Sequence, residues 1–109
     1  MEAPLTPTLD RQLPLHFIGV GGIGMSALAG ILAARGFQVS GSDPRSTPVV
    51  EGLRQQGVRV FPRQEAATIS ALCDDEGLSP LVVISSAVPE SNAELAEARS
   101  EEHTSELQS

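Results

Sequence analysis

The residues with the clearest chemical potential are Phe17-Ile18-Gly19-Val20-Gly21-Gly22-Ile23-Gly24-Met25-Ser26, an apolar run that breaks into glycines and then opens into a helical pattern. Gly19, Gly21 and Gly24 follow the G-x-G-x-x-G spacing, and Gly22 adds a fourth glycine. In that pattern the first glycine permits a sharp turn, the second lets backbone approach a phosphate, and the third lets helix and strand pack closely. Unpaired N–H groups at a helix start, reinforced by the helix dipole, favour an anion by about 0.3–1 kcal/mol, and by up to about 2 when partly buried. A diphosphate suits such a helix start. The same residues also suit a glycine-rich turn that binds nothing.

Two further places carry polar groups toward the same end of a sheet. Asp43, after Gly41-Ser42, lies at the tip of the next strand, where dinucleotide folds hold an acid against ribose hydroxyls. Followed by Pro44, it reads equally as a turn residue. Ser85, Ser86 and Ala87 follow Leu81-Val82-Val83-Ile84. Hydroxyls and small residues at such a strand end are where ligands of doubly wound sheets sit, although the serines also suit the start of a turn.

Composition excludes several classes. The formal charge of −7 argues against nucleic acid, which needs clustered cations. All seven basic residues are arginine, so a G-x-x-x-x-G-K-[ST] phosphate loop is absent from this sequence. His16, His103 and the single Cys73 make no metal cluster, and Cys73 reads as small apolar filler on a helix, in keeping with a reducing cytoplasm. His16 reads as a residue flanking the first strand. No apolar run approaches the ~18 residues of a membrane span, and the proline-containing start has no secretory pattern.

The elements that must hold these groups alternate along the chain. Residues 1–13 read as a disordered lead-in. Leu15 to Val20 suits a strand buried on both faces, and Ile23, Ala27, Leu28, Ile31, Leu32 and Ala34 suit a helical stripe ending at Gly36. Gly24 and Ala27 are small enough to let that helix lie close to the sheet. Gln38 to Ser42 reads as a second strand. Thr47-Pro48 starts a helix with Val49, Val50 and Leu53 inward and Gly57 as its stop. Val58 to Phe61 is a third strand, and Gln64 to Cys73 a weak helix with Ala67 and Ala71 inward, beside Leu72. Asp74-Asp75-Glu76-Gly77 reads as a solvated loop, and Leu81 to Ile84 as a central strand. Ser91 and Glu94 have the spacing of a capping box opening a helix through Arg99. Alternating strands and helices imply an α/β, Rossmann-like, doubly wound parallel sheet of about four strands over residues 14–99. Ser100 to Ser109 is out of keeping with the rest, resembles translated sequencing-adapter sequence, and reads as a non-native tail.

Three blocks together resemble the N-terminal domain of the Mur ligase family, nearest the branch that joins UDP-N-acetylmuramate to L-alanine. They are His16 to Ser26, Val39 to Asp43, and Val82 to Pro89 followed by Asn92, Glu94, Leu95 and Ala98-Arg99. The resemblance implies a UDP-sugar-binding domain for peptidoglycan precursor synthesis. Gly21 to Met25 would face the diphosphate, Ser42 and Asp43 the uridine side, and Ser85 to Ala87 the phosphate or sugar side. It also implies ATP and Mg2+ in a full-length enzyme, held by central and C-terminal domains, with no cofactor or metal in this stretch. The chain is therefore expected to be a truncated piece that does not ligate alone. Where relatives often carry Gly-His after the third strand, this chain has Arg63-Gln64, which puts a ligand contact from that loop in doubt. The competing reading is an NAD- or FAD-binding module of an oxidoreductase or regulator.

Overall fold

Leu15–Ile18 (β1) places successive side chains on opposite faces of the sheet. Leu15 and Phe17 enter one hydrophobic cluster, and Ile18 enters another. The computed structural model describes residues 14–76, 81–85, 88–89, 91–100 and 105–108. After β1 come α1 (Ile23–Ala34), β2 (Val39–Ser42), α2 (Pro48–Gln55), β3 (Arg59–Phe61), α3 (Ala66–Glu76), β4 (Leu81–Ile84), α4 (Ala93–Ser100) and β5 (Ser105–Gln108). The strands form one sheet in the order β3-β2-β1-β4-β5, and every pairing is parallel. The chain thus runs outward from β1 to β3, then returns to the other side of β1. That reversal opens a crevice beyond the carboxyl ends of β1 and β4.

Each face of the sheet has its own core. On one side Leu15, Phe17, Val39 and Val83 meet Met25 and Ala29 of α1 and Leu53 of α2. On the other, Ile18, Val82 and Ile84 meet Ile69 of α3 and Leu95 and Ala98 of α4. Burying each of the larger side chains contributes about 1.5–3 kcal/mol. The doubly wound parallel architecture is as the alternation of elements implied. Four of the strands fall where that alternation put them. The fifth, β5, comes from the segment set aside as a tail and pairs with β4 along Ser105 to Gln108. The expected lead-in, residues 1–13, lies outside the described residues.

Several faces differ from expectation. The helical stripe of α1 is set by Met25 and Ala29, with Leu28, Leu32 and Ala33 packed beside them. Ile23 is 94% exposed and Ile31 52% exposed, and Ala27 also faces outward. Gly24 does not serve helix–sheet packing, because a Cβ there would meet nothing within 4 Å. The close approach falls instead at Gly41, where a Cβ would lie 2.5 Å from the Val20 Cβ. In α2 Val50 and Leu53 are buried, but Val49 is exposed. Thr47 caps α2 as expected, accepting from the Val50 N–H at 3.2 Å. In α3 the inward residues are Thr68, Ile69 and Leu72, whereas Ala67 and Ala71 face outward. The helix continues through Asp74, Asp75 and Glu76, which are not a loop. Cys73 does fall on this helix; its side chain lies outside what is described.

The start of α4 is also different. Asn92, not Ser91, is the cap: its Oδ1 accepts from the N–H groups of Glu94 at 2.9 Å and Leu95 at 3.2 Å. Glu94 reaches away from its own helix end and is fully buried. Among the described residues no helix is long and apolar enough to cross a membrane.

Candidate functional site

The chain leaves β1 through Gly19, whose φ of 80° lies in the left-handed region that glycine adopts without steric cost. Its N–H and that of Val20 both donate to the Ser42 carbonyl, at 2.8 and 3.1 Å, tying the turn to the end of β2. Gly22 then closes the turn by donating to the Gly19 carbonyl at 3.2 Å and serves as the cap residue of α1 without a side-chain cap. Gly22 therefore offers no side-chain cap to the first turn of α1. Among the described residues, no acceptor meets the N–H groups of Ile23 and Gly24.

Asp43 buttresses this turn from beneath. Its Oδ2 accepts from the Gly21 N–H at 2.9 Å and from Arg45 Nη2 at 2.9 Å. Its Oδ1 accepts from the Arg45 backbone N–H at 2.9 Å and from Arg45 Nε at 3.0 Å. Burial alone would raise the Asp43 carboxyl, but the Arg45 fork and backbone and the Gly21 N–H outweigh it and hold it below the usual carboxylate value. The same pairing raises the Arg45 guanidinium above its ordinary value. Asp43 is 2% exposed, so its four acceptor positions are spent on the protein itself.

These residues wall a cleft of about 280 Å³ at the carboxyl ends of the strands. Its lining draws on every strand end from β1 to β4: Gly19 and Gly22, Asp43 and Arg45, Gln64, and Ser85. Met25 forms part of the floor, and Asn92 closes the side nearest α4. Asn92 Nδ2 donates to Gln64 Oε1 at 2.8 Å, fixing the amide of a residue the sequence left in doubt as a contact. A second hollow of about 250 Å³ lies at the opposite ends of the strands, among Pro14, Phe37, Gly57 and Arg59. It has neither a helix N-terminus nor the loops that follow the strands. The first cleft is the candidate site.

Of the residues singled out in the sequence, Gly22, Met25, Asp43 and Ser85 line this cleft. Gly21 stands behind them with its N–H committed to Asp43. Ile23 and Gly24 stand exposed at the start of α1. Ser86 and Ala87 lie outside the described residues. Ser42 presents its carbonyl to the turn, and its hydroxyl points inward to donate to Glu94 Oε1 at 2.6 Å. Arg45, Gln64 and Asn92 were not singled out as site residues. Their places directly after the second and third strands and before the last helix are the signal that finds them.

Beneath the cleft is a buried polar cluster. His16 is not a flanking residue: it is the second residue of β1 and fully buried. Its Nε2 lies 2.9 Å from Glu94 Oε1 and its Nδ1 lies 2.8 Å from Ser40 Oγ. The Ser40 hydroxyl also reaches the Leu15 carbonyl at 3.3 Å. Glu94 Oε2 accepts from the Glu65 N–H at 3.1 Å. One carboxylate thus joins β1, β2 and the residue preceding α3. Sequence reasoning placed Glu94 in a capping box and missed this cluster. Among the described residues, no group of three or more His, Cys, Asp or Glu side chains is arranged to hold a metal ion.

With this geometry in place, comparison with known proteins is informative. The profile of the "Mur ligase family, catalytic domain" matches residues 14–105. A UDP-N-acetylmuramate–L-alanine ligase of Prochlorococcus marinus (strain MIT 9303) is 66% identical over 96 residues, covering 88% of this chain and 20% of that protein. The ligase of the same name from Synechococcus sp. (strain RCC307) is 58% identical over 99 residues, covering 91% of this chain and 20% of the relative. The chain therefore spans about one fifth of the length of these relatives. Among solved structures, the UDP-N-acetylmuramate-alanine ligase of Thermotoga maritima superposes with a TM-score of 0.69 at 34% identity, over 86% of this chain and 20% of that one. The UDP-N-acetylmuramate:L-alanyl-gamma-D-glutamyl-meso-diaminopimelate ligase of Neisseria meningitides gives a TM-score of 0.70 at 27% identity, over 88% of this chain and 28% of that one. The oxidoreductase reading finds no support in these likenesses.

Proposed function

This chain belongs to the Mur ligase family, and on that premise we propose that its cleft binds UDP-N-acetylmuramate for ligation to L-alanine in peptidoglycan precursor synthesis. The observation that carries the reading is the pair of amides, Ile23 and Gly24, that meet no acceptor among the described residues at the glycine-started head of α1 beside that cleft. Backbone donors and a helix dipole suit a diphosphate dianion without needing lysine. Arg45 adds a cation on the same wall and offsets the charge of Asp43. The Gln64 and Asn92 amides, bonded to each other, each keep an NH2 proton of the kind a uracil carbonyl or a sugar hydroxyl accepts.

In this reading Gly22 to Met25 receive the diphosphate. Asp43 and Ser42 act by shaping the wall on the uridine side, since their side chains are already engaged. Ser85 faces the phosphate or sugar. The residues present do not fit ATP: the lysine of a G-x-x-x-x-G-K-[ST] loop is absent from the sequence. ATP and Mg2+ belong, on this proposal, to central and C-terminal ligase domains of a full-length enzyme working in the cytoplasm. Thermal melting of the chain with UDP-N-acetylmuramate and with NAD tests the assignment. Stabilisation by the UDP-sugar is expected, and stabilisation by NAD alone overturns it.

A further inference from the structure

We propose that Glu94, remote in sequence from the glycine turn, is a positioning residue for the nucleotide cleft, setting the distance between its two walls; this rests on the cleft being the UDP-sugar site. One wall is the end of β2, where the Ser42 carbonyl holds the glycine turn and Asp43 follows. The other is the stretch before α3, where Gln64 lines the cleft. Glu94 is bonded to both. Its Oε1 accepts from the Ser42 hydroxyl at 2.6 Å and its Oε2 from the Glu65 N–H at 3.1 Å. His16 Nε2, 2.9 Å from the same Oε1, fixes the carboxylate from the β1 side. The next residue but one before Glu94 is Asn92, which grips the Gln64 amide at 2.8 Å. A single buried carboxylate thus registers β2, the head of α3 and the head of α4 against one another. Glu94 is itself fully buried and is not among the residues lining the cleft, so it acts through them.

A carboxamide cannot reproduce this arrangement. Glu94→Gln has one acceptor oxygen where the Ser42 hydroxyl and the Glu65 N–H each donate to a separate one. With its oxygen toward His16 and Ser42, its NH2 opposes the Glu65 N–H. With its oxygen toward Glu65, the Ser42 hydroxyl proton loses its acceptor. The first orientation repels the Glu65 amide, and the second leaves the Ser42 hydroxyl only to accept from the NH2, so either way the register between the walls is loosened while side-chain volume is kept. The test is titration of the full chain and of Glu94→Gln with two probes, UDP-N-acetylmuramate and inorganic pyrophosphate, together with amide exchange at Glu65. Pyrophosphate needs only the glycine turn, whereas the UDP-sugar needs both walls. The expected result is a Kd for the UDP-sugar raised about tenfold, a pyrophosphate Kd changed less than twofold, and faster exchange at Glu65. Parallel weakening of both probes, or of neither, overturns the positioning role. If the unsubstituted chain binds neither probe, the UDP-sugar reading fails, and exchange at Glu65 then decides the registering role alone: faster in Glu94→Gln upholds it, unchanged overturns it.

Discussion

Replacing Gly21 by alanine is the sharpest structural perturbation of the glycine turn. Gly21 does not adopt a positive φ, so alanine there carries no backbone strain. The obstacle is space: a Cβ would lie 2.6 Å from Asp43 Oδ2, 3.1 Å from Val50 Cγ2 and 3.2 Å from Asp43 Cγ. Asp43 cannot swing aside cheaply, because it is buried and held by Arg45 through both oxygens. The substitution therefore costs at least the hydrogen bond from Gly21 to the carboxylate, about 1.5–3 kcal/mol for a charged acceptor. Against it stands the reduced freedom of the unfolded chain, which favours alanine by about 0.4–1 kcal/mol. A net loss of about 0.5–2.5 kcal/mol is expected, or a melting temperature lower by about 2–10 °C for a domain of this size. Urea or thermal unfolding followed by circular dichroism measures it. Gly24→Ala is the internal control: its Cβ meets nothing within 4 Å, and alanine is the better helix former there by up to about 1 kcal/mol. A Gly21→Ala variant as stable as the parent, with Gly24→Ala the weaker of the two, would refute the assignment of the tight position to Gly21.

Asp43→Asn is expected to lose about 1–3 kcal/mol near neutral pH, because one of its two oxygens becomes a donor facing donors. The folded carboxyl lies below its unfolded value of about 3.9, so this stabilisation is full above that pH and is lost as pH falls through the folded value; unfolding curves of parent and variant should converge in acid. Arg45→Ala should move the Asp43 carboxyl upward, as a carbon-detected NMR titration would read, and lower the melting temperature at neutral pH, with the difference from the parent fading in acid. Asn92→Ala should cost about 1 kcal/mol through loss of the α4 cap, whereas Ser91→Ala should stay within about 0.5 kcal/mol, both measured by urea unfolding.

The order of the first four strands and the helices between them, the turn at Gly19, the cap at Thr47 and the stops at Gly36 and Gly57 were legible because each depends on neighbours in sequence. Helix faces were harder. Ile23 starts α1 at its exposed end, so counting a stripe from it put the phase on the outer side, while Met25 and Ala29 face the sheet. The alanines of α3 misled in the same way, since alanine is equally at home inside and outside. The polar cluster was the least legible feature. His16 and Glu94 are 78 residues apart, and nothing local marks either as buried. Ser91 and Glu94 happen to have capping-box spacing, which offered Glu94 a local explanation that its tertiary partners override. The strand end at Ser42 was singled out in the sequence. Its hydroxyl, though, serves the interior rather than the cleft, a distinction that only the direction of one side chain decides.

The most direct measurement is amide mapping by NMR as UDP-N-acetylmuramate is added to the 109-residue chain. The largest changes are predicted at the N–H groups of Ile23 and Gly24, with smaller ones at the Gln64 and Asn92 side-chain amides. Saturable binding that leaves those signals in place, or that perturbs the hollow around Phe37 and Gly57 instead, would contradict the account.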